Sequence, residues 1–211
     1  MITAPVIRRQ NQALALGLGY AAFCVLYLGS GAFHLRPPVI LGASAVDRLI
    51  PFIDWTIWIY ASQFTLLPLA VVQARDDADR SQGFYAMLAA TALAAAVFVS
   101  WPTQLERQGV PAGGATGLAW TVLYLADTPN NCFPSLHVAL AAIAGRLLWR
   151  RERRVVAVAW PVMIAAATLT TKQHVAWDIA GGLVLAAVAW TLVPKLLRHE
   201  RAQPIRHAAG A

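Results

Sequence analysis

From Ala13 to Phe33 the chain carries no charged side chain, and Trp55–Ala74 and Phe84–Trp101 repeat the pattern. A helix needs about 20 mainly apolar residues to cross the ~30 Å hydrocarbon layer of a bilayer. In lipid its backbone polar groups must be satisfied within the segment. Blocks of this length therefore restrict the chain to a bundle of membrane-spanning helices. Ser135–Trp149, broken only by Arg146, is a fourth candidate; Val155–Thr171 and Val175–Val193, the last carrying Asp178 near its start, complete the set. Ala115–Ala126 is apolar but too short to cross, and is expected to lie in the interface or fold back on the bundle. The predicted fold class is an all-α integral membrane protein, a six-transmembrane-helix bundle forming one domain over residues 1–211.

Composition agrees: 58% of residues are hydrophobic and 13% charged, against roughly 45–50% and ~25% in soluble domains. The net charge of +7 does not imply nucleic acid, because the basic residues sit in short runs between apolar blocks. That placement suits anionic lipid headgroups, so the lipid bilayer is the expected partner. Nothing in the sequence sets an oligomeric state. Cys24 and Cys132 offer neither a disulfide framework nor a metal-ligand spacing. The block after Arg8 and Arg9 reads as a retained span, since no small-residue cleavage site followed by a soluble domain succeeds it.

Orientation follows from the basic residues. With a cytoplasmic N-terminus, Arg8, Arg9, Arg75, Arg80, Arg150, Arg151, Arg153, Arg154, Lys195, Arg198, Arg201 and Arg206 share one side, and Arg146 can snorkel there. The other side receives Arg36, Arg48, Arg107 and Lys172. This bias predicts a protein of the cell (cytoplasmic) membrane with both termini cytoplasmic.

Three polar segments then meet on the sparsely charged, periplasmic or extracellular side: Trp101–Arg107, Asn130–His137 and Thr170–Asp178. His174 and Asp178 are four residues apart and share a helix face. A carboxylate there can fix the imidazole tautomer and leave the other nitrogen free to attack. His137, from a different helix, can protonate a departing oxygen. Pro134-Ser135 reads as a helix start, with Ser135 as N-cap or first residue and free N–H groups beyond it to bind phosphate oxygens. Lys172 and Arg107 can neutralise charge on those oxygens. The chemistry suggested is phosphoryl transfer. His34, Arg36, Asp47 and Arg48 fall on the same side but show no motif and are read as solvated loop.

Pro134-Ser135-Leu136-His137, followed by Lys172-Gln173-His174 and Asp178, resembles the second and third signature motifs of the type-2 phosphatidic acid phosphatase superfamily. The Ser-Leu-His and Lys-Gln-His forms look closest to the branch of inositol phosphorylceramide synthase-like phosphotransferases. The resemblance implies a phosphohistidine on His174, oriented by Asp178, formed without metal or cofactor. It implies His137 as acid and then base, Ser135 in the phosphate pocket, and a membrane phospholipid as substrate. The third motif of the phosphatases has an Arg where this chain has Thr168 and a Ser where it has Ala167; around Trp101–Arg107 only Arg107 is basic. Fewer cations suit a monoanionic diester better than a dianionic monoester, which tilts the expectation toward headgroup transfer or diester chemistry.

Two other readings use the same residues. A small transporter could run protons or a metal past His137, His174 and Asp178, although such a path calls for polar residues or broken helices at mid-membrane. A Zn²⁺ ion could sit on the same set, as in a membrane hydrolase.

Overall fold

The computed structural model describes residues 2–111 and 113–199; Arg201 and Arg206, counted above for orientation, lie outside them. The elements, in order, are β1 (Ile2–Ala4), α1 (Gln12–Ala32), β2 (Val39–Ile40), α2 (Ala45–Leu49), α3 (Ile57–Ala61), α4 (Gln63–Val72), α5 (Asp77–Ser100), β3 (Thr103–Gln104), α6 (Gly114–Ala126), α7 (Leu136–Leu148), α8 (Arg154–Thr170), α9 (Ala176–Leu196) and β4 (Leu197–His199). The strands are brief staples: β1 pairs in parallel with β4, and β2 with β3.

Among the described residues, five helical segments are long and apolar enough to cross a membrane: Gln12–Ala32, Asp54–Val72, Asp77–Ser100, Arg151–Thr170 and Ala176–Leu196. The crossing expected at Ser135–Trp149 is instead the 13-residue α7, about 20 Å long at 1.5 Å per residue. Its surroundings account for the difference. α7 packs on α4, α5, α8 and α9, and Leu140, Ile143, Ala144 and Leu147 are each nearly or wholly buried. Protein surrounds the sides of this helix along its length, so it need not present a lipid-facing span of its own. Glycines allow the close approach: a Cβ on Gly145 would lie 2.4 Å from the Ala157 carbonyl of α8, and one on Gly182 of α9 2.5 Å from the Ser135 carbonyl.

α5 starts at Asp77, earlier than the apolar run suggested. Asp76 caps it by accepting from the Asp79 N–H, and Asp77 and Asp79 face the positive end of the helix dipole. Arg80, 1% exposed, fits inside because it pairs with Asp77 and donates to the Val71 carbonyl. α6 does not enter the bundle. Its Trp120 is buried and donates from Nε1 to the Asp54 carbonyl, while Leu118, Val122 and Leu125 stand exposed along one stripe. α6 thus packs on α3 as a short helix with one apolar stripe left uncovered.

Hydrogen bonds sort the loops into two ends. At one, Arg150 donates to the Gln73 carbonyl and Arg153 to the Gln73 side chain. At the other, Leu35 N–H donates to the Val99 carbonyl, Ile53 N–H to the Thr170 carbonyl, and Cys132 N–H to the Thr103 carbonyl. All three motif segments belong to this second end.

Candidate active site

The C-terminus of α8 places the first histidine. The Thr168 carbonyl accepts from both Gln173 and His174 N–H, and the chain turns through Lys172, whose φ of 55° puts a non-glycine residue in the left-handed region. This is the reversal that commonly ends a helix, made here without glycine. α9 follows at once. Asp178 Oδ2 accepts from the Val175 N–H at 3.0 Å and lies 3.1 Å from His174 Nδ1. One carboxylate oxygen thus ties down the first turn of α9 and engages the imidazole at Nδ1, so that Nε2 is the nitrogen left free of it. Asp178 is fully buried, His174 is 7% exposed, and Asp178 Oδ1 has no hydrogen-bond partner among the described residues.

The second histidine arrives on α7. Ser135 caps that helix, its Oγ accepting from the Val138 N–H at 3.3 Å, and its own N–H donates to the Asp178 carbonyl at 3.0 Å. The start of α7 is therefore fastened to the residue that orients His174. The rings of His137 and His174 stand 6.3 Å apart, centroid to centroid. Tyr60 of α3 stacks on His137 at 4.1 Å, and its hydroxyl shares a 3.2 Å hydrogen bond with His137 Nδ1. A hydroxyl can donate to a neutral imidazole and accept from a charged one, so Tyr60 accommodates both states. His137 Nε2 is buried without a hydrogen-bond partner among the described residues.

A small polar cavity of about 20 Å³ reaches His174 and is also bordered by Arg107, Asp127, Asn131, Lys172 and Tyr60. It holds little more than a water. A larger cavity of about 340 Å³ reaches His174 and Lys172 from the other flank, past Leu41, Asp47 and Glu106. Of the residues expected from sequence, His174, Lys172 and Arg107 thus border one space, with His137 beside them. Ser135 is fully buried and its hydroxyl is engaged in capping. Both cations are anchored through backbone carbonyls. Lys172 Nζ donates to Asp47 O at 2.9 Å and to Ile50 O; Arg107 donates to Tyr124 O at 3.1 Å and Asp127 O at 2.6 Å. The Arg107 guanidinium also lies 4.5 Å over the Tyr124 ring.

Several members of the site went unread in the sequence. Asp127 accepts from the Tyr27 hydroxyl at 2.6 Å. Burial pushes its carboxyl above the usual range, and the Tyr27 bond and the Arg107 charge only partly offset this. Burial likewise lifts the Cys132 thiol to about 12, so it is no thiolate nucleophile. Asp47, read as solvated loop, is only 6% exposed. It forms a capping box with Ser44 and accepts from the Ala176 N–H at 2.8 Å. Burial works to raise its carboxyl, but the bonds from Ser44 and Ala176 and the charge of Lys172 outweigh it and lower the pKa. The Ser44-x-x-Asp47 spacing was the available signal. Among the described residues no group of three or more His, Cys, Asp or Glu is placed to hold a metal.

A buried His–Asp pair, with a second histidine beside it and two anchored cations bordering the cavity, thus lies at one end of an apolar helical bundle. The family model described as the PAP2 superfamily matches residues 30–192. The chain belongs to this superfamily, that of the type-2 phosphatidic acid phosphatases, and membership supports phosphatase or phosphotransferase activity in general. No curated protein and no solved structure gives a significant match.

Proposed function

We propose that this protein carries out metal-independent phosphoryl hydrolysis or transfer on a membrane phospholipid through a phosphohistidine on His174. The observation that carries the reading is the coupling of the two histidines: Asp178 orients His174 through its side chain and fixes the start of α7, with His137, through its backbone. In the first step His174 Nε2 attacks phosphorus, the bond to the leaving oxygen breaks, and His137 delivers a proton to that oxygen. In the second, His137 takes a proton from water or a lipid alcohol, whose oxygen attacks phosphorus as the N–P bond breaks. Arg107 and Lys172 offset charge on the remaining oxygens. Ser135 contributes by presenting the N-terminus of α7 to the phosphate.

With two of its three donors on carbonyls, Lys172 has limited capacity for a dianion. This favours a diester substrate, or headgroup transfer in the manner of the inositol phosphorylceramide synthase-like branch. The proposed topology has six crossings, α7 being the short central one, and both termini cytoplasmic. The site then faces the periplasm or exterior, in keeping with the basic residues clustered at the other end.

Purified protein offered a panel of labelled phospholipids, with inorganic phosphate and new lipid products followed together, tests the reading. Turnover should resist chelators, yield to vanadate and vanish in His174→Ala. Wild-type turnover in His174→Ala, or loss with chelator, would refute it.

A further inference from the structure

One wall of the water-sized cavity beside His174 is a carboxyl that the phosphoryl chemistry leaves unused. Asp127 follows α6 as its C-cap and is only partly buried. With Arg107, Lys172 and Tyr60 it lines the cavity of about 20 Å³ next to His174. That is roughly the room one water needs, and a non-bridging phosphoryl oxygen is of the same size. With phosphorus at His174, such an oxygen enters the space that Arg107 and Asp127 share.

The surroundings of this carboxyl favour its protonated form. Arg107 grips the main chain of α6 and not the side chain: its guanidinium donates to Tyr124 O at 3.1 Å and to Asp127 O at 2.6 Å. Among the described residues no cation forms an ion pair with the Asp127 carboxyl. The negative end of the α6 dipole also disfavours a further negative charge there. The groups facing it are Tyr27 on α1, Tyr60 on α3, Glu106 and Arg107 before α6, and Cys132 before α7. His174 and Lys172 face it from the turn after α8. Bonds from the Tyr27 hydroxyl and the Thr128 N–H and the charges of Arg107 and His174 favour ionisation, yet burial outweighs them and the pKa is raised. An ionised carboxylate in this wall would repel a phosphoryl oxygen, whereas a carboxylic acid can donate to it.

We propose that Asp127 is a further catalytic residue, a carboxylic acid that donates a hydrogen bond to a non-bridging oxygen of the phosphoryl group whose charge Arg107 offsets. The role rests on the phosphoryl chemistry proposed above. The proton is shared with that oxygen and stays on Asp127 throughout, so the two histidines keep the nucleophile, acid and base work. A neutral donor adds no charge to the two cations, which matches a monoanionic diester.

The test uses full-length protein in detergent with its best phospholipid substrate. Wild-type kcat should fall on the alkaline side as Asp127 ionises. Asp127→Ala should lose about 10²-fold in kcat, the cost of one missing oxyanion donor. Asp127→Asn keeps a donor that cannot ionise; it should retain more kcat than Asp127→Ala and lose the alkaline fall. Tyr27→Phe removes a bond that favours the ionised form and should move the fall to higher pH. A second readout needs no turnover. In infrared difference spectra the C=O stretch of a protonated carboxyl, assigned by its loss in Asp127→Asn, should shift when dihexyl phosphate is added, in His174→Ala as in the wild type. An alkaline limb unchanged in Asp127→Asn, or a carboxyl band that is absent or indifferent to the diester, would overturn the proposal. Should the band shift while the wild type forms no phosphoenzyme, the phosphohistidine fails and the Asp127 donor stands.

Discussion

Gly182 lies where α9 touches the start of α7, and replacing it with alanine tests how finely that contact sets the site. The added Cβ would fall 2.5 Å from the Ser135 carbonyl oxygen and 3.0 Å from Val138 Cβ, where ordinary contact starts at 3.4 Å. The nearest obstacle is backbone and cannot rotate away, so the two helices must part by about 1 Å. Ser135 precedes His137 by half a turn, and Asp178 precedes Gly182 by one turn on α9, so the separation falls between His137 and the His174–Asp178 pair. A displacement of ~1 Å at reacting groups costs about 10²-fold in rate, and overpacking of this kind about 1–3 kcal/mol. Gly182→Ala should therefore lower both kcat on the best phospholipid substrate and thermal stability in detergent. Gly17→Ala is the control, since nothing lies within 4 Å of its added Cβ. Wild-type kcat and Tm in Gly182→Ala would refute the claim that this contact positions the histidines.

Other substitutions probe separate links. Tyr60→Phe keeps the stack on His137 and loses the hydroxyl; kcat should drop about tenfold, short of the ~10²–10⁴ expected for removing a general acid, with a displaced pH profile. Asp127 has a raised carboxyl pKa, so the native state holds a proton that the unfolded chain gives up. Its contribution to stability therefore falls as pH rises from the usual carboxylate range through the folded pKa. Asp127→Asn should raise Tm at neutral pH, with the gain vanishing below that range. Asp47→Ala removes the cap on Ala176 and should cost about 1 kcal/mol, read as a lower Tm with insertion unchanged.

The spans were legible because lipid tolerates few charges, and α1, α3 with α4, α8 and α9 follow the apolar blocks closely. The exceptions have local causes. Asp76, Asp77 and Asp79 extend α5 because acids suit a helix N-terminus, and α7 is short because protein surrounds it. In the site, His174 and Asp178 stood out through their four-residue spacing, although His174 lies in the turn before α9 and not on the helix with Asp178, and His137 stood out on the start of another helix. Tyr60 and Asp127 did not, since each is a lone polar residue whose role depends on a partner distant in sequence: Tyr60 with His137, Asp127 with Tyr27 and Arg107. Asp47 carried a capping signal, but only the fold shows that it caps a second helix, α9.

The most direct measurement is to quench the protein during turnover of a substrate labelled on phosphorus and map the phosphoryl group by mass spectrometry. The account predicts an acid-labile, base-stable label on His174, absent in His174→Ala and longer-lived in His137→Ala, which lacks the base for the second step. Label on any other side chain, or turnover that passes through no phosphoenzyme, would contradict it.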